Sequence, residues 1–174
     1  MAFVLIQHLS KEHKSLLTDL VQTYTQTPVV QVTEGMQVKP DHIYVIPPNN
    51  DMTLSNGRFK LAQYPEHQEM HLPIDSFFRS LAEQKKQSAI GIILSGMGHD
   101  GTQGILAIKR AGGTVLAQDP QELEFDAMPK SAIATGLVDY ILNPEKMPEL
   151  LNTITTPTDS TQIDQNAINA EQLA

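Results

Sequence analysis

The 174-residue sequence contains no cysteine. Within this chain, that absence excludes disulfides, a thiol nucleophile and a cysteine-ligated zinc site, and it fits a reducing compartment. We therefore expect a cytoplasmic protein. Basic residues are also few, since 12 Lys and Arg stand against 20 Asp and Glu and the formal net charge is -8. This charge gives no electrostatic support to a nucleic acid or an anionic membrane surface as a partner.

Long hydrophobic runs are absent as well. The apolar start of the chain, residues 1–6, is far too short for a signal peptide or a membrane span, so we expect no membrane insertion. What is present is a chain with 40% hydrophobic and 18% charged residues, enough for one compact domain. Because the composition turns polar from Thr153, we expect this domain over 1–152 and a polar tail or interdomain linker over 153–174.

Short apolar runs alternate with amphipathic segments along the domain. The runs predict strands and the segments predict helices, which together indicate an α/β fold of the three-layer, doubly wound type with a mainly parallel sheet. Asn56-Gly57, between two β-prone segments, favours a type I′ turn and predicts a small antiparallel hairpin. The predicted strands of the sheet are 2–7, 29–32, 43–46, 89–94, 114–117 and 138–142, and the predicted helices are 10–24, 73–84, 102–111, 129–136 and a last one from 143.

A glycine-rich turn follows the predicted strand at 89–94. Gly96 to Gly101 reads Gly-Met-Gly-His-Asp-Gly and leads directly into the predicted helix at 102–111. The turn is therefore expected at the carboxyl edge of the sheet, where α/β proteins place their chemistry. We expect Asp100, within this turn, either to cap the helix or to orient a catalytic base.

His8 stands just past the first predicted strand, which directs it to the same carboxyl edge as Asp100. A lone histidine at such a place is commonly a hydrogen-bonded structural residue. If Asp100 accepts a hydrogen bond from one ring nitrogen of His8, however, the other nitrogen becomes an oriented general base. Neither Ser10, interpreted as a helix N-cap, nor Ser95 has the sequence context of an exposed nucleophile.

Two further motifs point to other ligands. Gly96 to Gly101 formally matches the G-x-G-x-x-G dinucleotide fingerprint, with Asp119 at the distance expected of a ribose-binding acid. Asp100 argues against this interpretation, because a carboxylate at the helix N-terminus repels a pyrophosphate. His67 and His71 are four residues apart, but the glutamate between them is misplaced for a zinc motif and prolines flank the segment. We expect no metal and no cofactor, and a dinucleotide-binding domain is kept as an alternative.

Five stretches carry a family resemblance: Phe3 to Ser10, Gly35 to Pro48, Ser95 to Gly101, Ala117 to Pro120 and Phe125 to Pro129. In motif and in order they resemble the catalytic domain of CheB-type chemotaxis receptor methylesterases. The resemblance covers nearly everything to about residue 150. It is greatest to the form found in large proteins in which this domain precedes a receptor methyltransferase domain.

The resemblance implies hydrolysis of glutamate γ-methyl esters on the cytoplasmic domains of chemoreceptors by a Ser-His-Asp triad. In this triad His8 matches the base and Asp100 the acid, and Met97 matches the residue whose backbone N–H helps to form the oxyanion hole. Methylated chemoreceptors are the implied partners, together with a fused or adjacent methyltransferase domain.

The nucleophilic serine of the family has no counterpart in this chain. It lies in a Gly-Ala-Ser-(Thr or Ala)-Gly-Gly turn after a strand that precedes the histidine strand, and that unit is absent before Met1. We therefore expect the domain to be truncated at its N-terminus and this chain alone to be inactive. A start placed too far downstream and a natural loss both account for the absence. Natural loss would leave a non-catalytic interaction or regulatory domain of the same fold.

Overall fold

The computed structural model describes residues 1–8, 16–64, 71–121 and 123–155. The chain divides into two compact units, Met1–Leu142 and Asn143–Ala174. The predicted boundary between residues 152 and 153 stays a prediction, and the predicted tail lies outside the described residues from 156 onward. No helix in the described part of the chain is long and apolar enough to cross a membrane.

The described elements follow the predicted order. In the first unit the strands are β1 Phe3–Leu5, β2 Val29–Gln31, β3 Ile43–Val45, β4 Asn50–Ser55, β5 Arg58–Gln63, β6 Ile90–Ile93, β7 Thr114–Gln118 and β8 Tyr140–Leu142. The α-helices of this unit are α1 Leu17–Gln22, α2 Pro73–Lys85, α3 Thr102–Arg110 and α4 Ala127–Ala134. In the second unit a 3-10 turn, Pro144–Lys146, precedes α5 Met147–Thr155, and the Asn143 side chain caps that turn by accepting the Glu145 N–H.

Six strands pair in parallel, in two sheets of three. The first sheet has the order β1-β3-β2 and the second the order β6-β7-β8. Val4 lies opposite Tyr44 in the first sheet, and Ile92 lies opposite Leu116 in the second. The predicted α/β fold with mainly parallel strands is confirmed. Its parallel strands form two sheets because no strand among the described residues pairs with both β1 and β6.

The predicted hairpin is confirmed as the antiparallel pair β4 and β5. Its turn residues Asn56 and Gly57 have φ angles of 48° and 71°, the left-handed values that a type I′ turn requires. The hairpin forms a separate two-stranded sheet. Its buried residues Met52, Leu54 and Phe59 belong to the same hydrophobic cluster as the parallel strands, so the hairpin covers part of the core.

One hydrophobic cluster joins the two parallel sheets. Tyr44 and Ile46 reach it from the first sheet region, and Ile93 and Val115 reach it from the second. Helix α2 supplies further buried apolar side chains, which are Ile74, Phe77, Phe78 and Ala82. Because full burial of a large apolar side chain contributes roughly 1.5–3 kcal/mol, this cluster is the main source of stability in the unit.

Helix α1 differs from its prediction. Residues 9–15, which include the expected N-cap Ser10, lie outside the described part, and the described helix is shorter than predicted. Its apolar stripe is not covered, since the helix has no buried residue and Leu16, Leu20 and Tyr24 are exposed. Periodicity therefore identified an amphipathic helix correctly, but it does not determine whether a partner surface covers the apolar face.

Candidate active site

The structure brings two of the predicted site residues together. His8 follows β1 and Asp100 follows β6, so both lie at carboxyl ends of parallel strands. Their side chains form a hydrogen bond of 2.9 Å between His8 Nε2 and Asp100 Oδ2. The two residues are 92 positions apart in the chain, and this contact links the ends of the two parallel sheets.

Asp100 is 4% exposed and its carboxylate is held by more than the imidazole. The backbone N–H of Ile74 donates to Oδ2 and that of Asp75 donates to Oδ1, each at 2.9 Å. These donors belong to the first turn of α2, where unpaired N–H groups and the positive end of the helix dipole favour a negative charge. Asp100 therefore bonds the imidazole and caps a helix at the same time.

The helix that Asp100 caps is not the one expected. The expectation was the helix that follows it, α3, whereas the donors lie in α2. Gly101, which precedes α3, has a φ of 99°. A Cβ at this position would also lie 2.7 Å from Ile93 Cδ1, so glycine is required there both for conformation and for space.

His8 is about half exposed, and its pKa is raised above the ordinary histidine value. The main cause is the hydrogen bond to Asp100, which stabilises the imidazolium; partial burial acts in the opposite direction, and the Asp100 charge adds to the increase. Because Nε2 bonds the carboxylate, Nδ1 is the ring nitrogen left to accept a proton. The pair can therefore serve as an oriented general base.

A cleft of about 100 Å³ opens beside His8. This volume exceeds the roughly 15 Å³ that a single water needs, so the cleft has room for a small polar group. Tyr64 and His71 stack in its wall, with ring centroids 3.6 Å apart. The residues that line it are Gln7, His8, Pro47, Asn49, Asn50, Tyr64 and His71.

A partly buried carboxylate adjoins this cleft. Asp51 accepts a hydrogen bond from Tyr64, and desolvation raises the Asp51 pKa although that bond and nearby His71 oppose the shift. The pKa of Tyr64 is raised as well, first by burial and then by the Asp51 charge. Both shifts disfavour the ionised forms of these groups, because burial removes water from them.

Sequence reasoning missed most of the cleft. Asn49 follows β3 and Pro47-Pro48, so the rule that placed His8 at a strand's carboxyl end also applies to Asn49. Tyr64 carries no comparable local signal, since it enters the cleft only because the hairpin folds back. His71 was considered only as a metal ligand.

The other predicted residues have simple surroundings. Met97 is 73% exposed, and its backbone N–H has no hydrogen-bond partner among the described residues. Its proposed place in an oxyanion hole stays a prediction. Ser95 Oγ donates to the Phe125 carbonyl at 3.0 Å, so this hydroxyl already has a structural partner. His99 is exposed, and Ser10 lies outside the described residues.

Neither alternative ligand site gains a supporting contact. The Asp119 carboxylate accepts the Gln121 N–H at 3.0 Å, a local turn contact. His67 falls outside the described part of the chain. Within that part, no group of three or more His, Cys, Asp or Glu side chains is placed to hold a metal ion.

The fold and site define an α/β domain with a buried carboxylate and an accessible imidazole at the carboxyl ends of parallel strands, an arrangement that activates hydroxyl nucleophiles in hydrolases. The model of the CheB methylesterase family matches residues 1–151. The chain therefore belongs to the CheB methylesterase family.

Similarity to individual proteins supports the same family assignment. The chain is similar to an "Uncharacterized 104.1 kDa protein in hypE 3'region" from Rhodobacter capsulatus, at 41% identity over 131 residues, which are 75% of this chain and 14% of that protein. It is also similar to a protein-glutamate methylesterase/protein-glutamine glutaminase from Thermotoga maritima, at 33% identity over 85% of this chain and 44% of that protein. The chain thus spans less than half the length of either relative.

A solved structure is similar as well. The catalytic domain of the Thermotoga maritima CheB methylesterase matches with a TM-score of 0.76 and 32% sequence identity, over 88% of this chain and 82% of that chain. The match confirms the parallel sheets, flanking helices and hairpin as the fold of this family. None of these matches supports the dinucleotide-binding alternative.

Proposed function

We propose that this chain forms most of the catalytic domain of a protein-glutamate methylesterase that hydrolyses glutamate γ-methyl esters on chemoreceptors. The observation that carries the proposal is the 2.9 Å bond between His8 Nε2 and Asp100 Oδ2 beside a cleft. Family membership supplies the reaction class, and the geometry supplies a base with a buried partner.

In the proposed mechanism a serine hydroxyl attacks the ester carbonyl while His8 Nδ1 takes the hydroxyl proton. Asp100 stabilises the imidazolium that forms, and the exposed Met97 N–H is a donor for the oxyanion. The imidazolium then protonates the leaving methanol, and water hydrolyses the acyl-enzyme with His8 again as base. The same steps release ammonia from a glutamine side chain, the second activity in the printed name of the Thermotoga maritima relative.

The serine must come from a segment that this sequence does not contain. Alternate residues of a strand direct their N–H and C=O groups to opposite edges. The backbones of Phe3 and Leu5 bond β3, so the backbone of Val4 faces the other edge of β1. In the same way the backbone of Ala89 bonds β7, so that of Ile92 faces the other edge of β6. Neither of these edges pairs with a strand among the described residues.

We propose that one parallel strand pairs with both free edges and ends in the serine turn beside His8. The carboxyl ends of β1 and β6 lie close together, because His8 and Asp100 are in contact. A strand inserted there would convert two sheets of three into one continuous sheet. This arrangement explains why the exposed apolar side chains Phe3 and Leu94 belong to β1 and to the end of β6.

Two partners belong to the same proposal. Methylated chemoreceptor domains are the substrate, and a methyltransferase domain is fused or adjacent to this domain. Residues 153–174 then act as a linker. The size of the Rhodobacter capsulatus relative supports placement within a larger protein, since the matched region is 14% of its length.

The decisive experiment restores the missing unit. The strand and serine turn of the Thermotoga maritima domain are joined before Met1, and methanol release from methylated receptor is measured. We expect no methanol from the chain as given, turnover from the extended chain, and loss of that turnover when the added serine becomes alanine. Turnover by the unextended chain would show that the nucleophile has been misplaced.

Two matched pairs test the roles of the residues in the extended chain. Asp100→Asn should lower turnover by about a thousandfold or more, because the charge and the correct tautomer are lost. His99→Ala, an exposed residue of the same turn, should change it little. Met97→Pro removes the N–H and should lower turnover by roughly a hundredfold or more, whereas Met97→Leu keeps the N–H and should be nearly neutral.

A further inference from the structure

We propose that Asp75 is a positioning residue that holds the first turn of α2 in the place where it fixes Asp100 against His8. Asp75 is 2% exposed and does not touch the cleft. Its backbone N–H donates to Asp100 Oδ1 at 2.9 Å. Its own carboxylate accepts the backbone N–H of Gly104 at 2.7 Å.

These contacts form a chain from α3 to the imidazole. Gly104 lies in the first turn of α3, Asp75 in the first turn of α2, and Asp100 in the loop between β6 and α3. Each link is a hydrogen bond of 2.9 Å or less, and the last joins Asp100 to His8. The position of Asp100 therefore depends on the position of the α2 terminus, and the Asp75 side chain connects that terminus to α3.

Close packing makes the link rigid. A Cβ added to Gly104 would lie 2.5 Å from Phe78 Cβ and 3.2 Å from the Asp75 Cα, so the two helices approach each other closely at this point. Because the two helices are in contact here, the Gly104 N–H is held in a fixed position relative to the Asp75 carboxylate. Each of two helix N-termini is thus bound by a buried carboxylate. Asp75 accepts a backbone N–H of α3, and Asp100 accepts backbone N–H groups of α2.

Burial of the Asp75 carboxylate depends on its hydrogen bond from Gly104. A buried carboxylate without a cation is costly unless its hydrogen bonds compensate. No ion pair to Asp75 exists among the described residues, and the carboxylate of Asp100 bonds its backbone. The N-terminus of α3, to which Gly104 belongs, favours the negative charge and offsets the cost of burial.

The experiment measures the His8 pKa by NMR on the chain as it exists, with the resonance assigned by its loss in His8→Gln. Asp75→Ala removes the link, so the Asp100 carboxylate should fit His8 less well. We expect the His8 pKa to fall by about 0.5, a threefold loss of proton affinity. Asp75→Asn keeps an acceptor for Gly104 and should retain most of the raised value.

Ser80→Ala is the matched control on the same helix. Ser80 is also buried and its hydroxyl bonds Leu54 and Phe77, so its removal costs stability without touching the Asp100 contacts. Its His8 pKa should equal that of the unmodified chain. Tyr64 and His71, the other titratable groups lining the cleft, are unchanged in every variant.

A folded Asp75→Ala protein with an unchanged His8 pKa would overturn the inference, as would an equal change in Ser80→Ala. If Asp75→Ala does not fold, a pH titration of the unmodified chain tests the inference. In that titration the chemical shift of the Gly104 amide should change together with the protonation of His8. The chemical shift of the Gly113 amide, beyond the other end of α3, should not. A Gly104 resonance that ignores the titration contradicts the inference.

The inference concerns the site of the proposed function, but its readout needs no activity. A His8 pKa that depends on Asp75 in a protein that stays inactive after the serine is restored would contradict only the proposed function. The opposite combination would contradict only the role of Asp75.

Discussion

The two parallel sheets have the same number of strands and each has a buried central strand, but the helices that follow their first strands differ in burial. In the second sheet, the central residue Leu116 and the α3 residues Ile105 and Ile108 are fully buried. In the first sheet, β1 is an edge strand in which Phe3 is 42% exposed, and the neighbouring α1 has no buried residue.

This difference in burial separates the part of the molecule that stabilises the fold from the part that a nucleophile can reach. The second sheet and α2 hold Asp100 in a buried and fully bonded position, whereas His8 follows the edge strand β1 and is 47% exposed. The carboxylate is therefore preformed, and the imidazole is the part that a nucleophile can reach. Four predictions, in order of expected effect, test the comparison.

The largest difference is expected in amide hydrogen exchange. The Leu116 amide lies in the central strand β7 and should open only with global unfolding, which costs 5–15 kcal/mol in typical domains. The Val4 amide faces an unpaired edge and should exchange at close to the rate of an unfolded chain. Equal protection of the two amides would show that β1 has a partner in solution.

Core truncation should show the next largest effect. Ile105→Ala removes a fully buried side chain of α3 and should lower the free energy of unfolding by roughly 2–5 kcal/mol. Leu20→Ala, on the exposed face of α1, should change it by about 0.5 kcal/mol or less. Urea denaturation measures both. A large loss in Leu20→Ala would mean that α1 is packed against a surface in solution.

Replacing the buried carboxylate should lower the free energy of unfolding more than replacing an exposed one. Asp100→Asn should cost roughly 1.5–3 kcal/mol, because an amide nitrogen replaces one acceptor facing the N–H groups of Ile74 and Asp75. Asp19→Asn, in the exposed first turn of α1, should be nearly neutral. The same urea experiment applies, and similar losses in the two variants would contradict the bonding described for Asp100.

The smallest effect concerns pH. Since the folded chain raises the His8 pKa, it binds the imidazole proton more tightly than the unfolded chain does. This stabilisation is fully present below about pH 6.5 and is lost as the pH rises through the raised value. The unmodified chain should therefore lose more stability between about pH 6 and pH 9 than His8→Gln does. Equal losses would mean that the bond to Asp100 does not persist in solution.

Local patterns predicted the elements of the second sheet well. The short apolar run at 89–94 and the stripe of 102–111 correspond to β6 and α3, because the buried face of each element is determined by side-chain periodicity. Asn56-Gly57 predicted its turn because few residue pairs tolerate two positive φ angles. The α1 stripe predicted a helix but not burial, since burial depends on a surface that other segments provide.

The sequence by itself determined the fold class, the family and the meeting of His8 with Asp100, because parallel strands place their carboxyl ends at one edge. Only the tertiary structure decided which helix Asp100 caps, that the parallel strands form two sheets, and that Tyr64 and His71 share a cleft with His8. These features depend on contacts between residues far apart in the chain. Such contacts follow from how whole elements pack, and local periodicity carries no information about them.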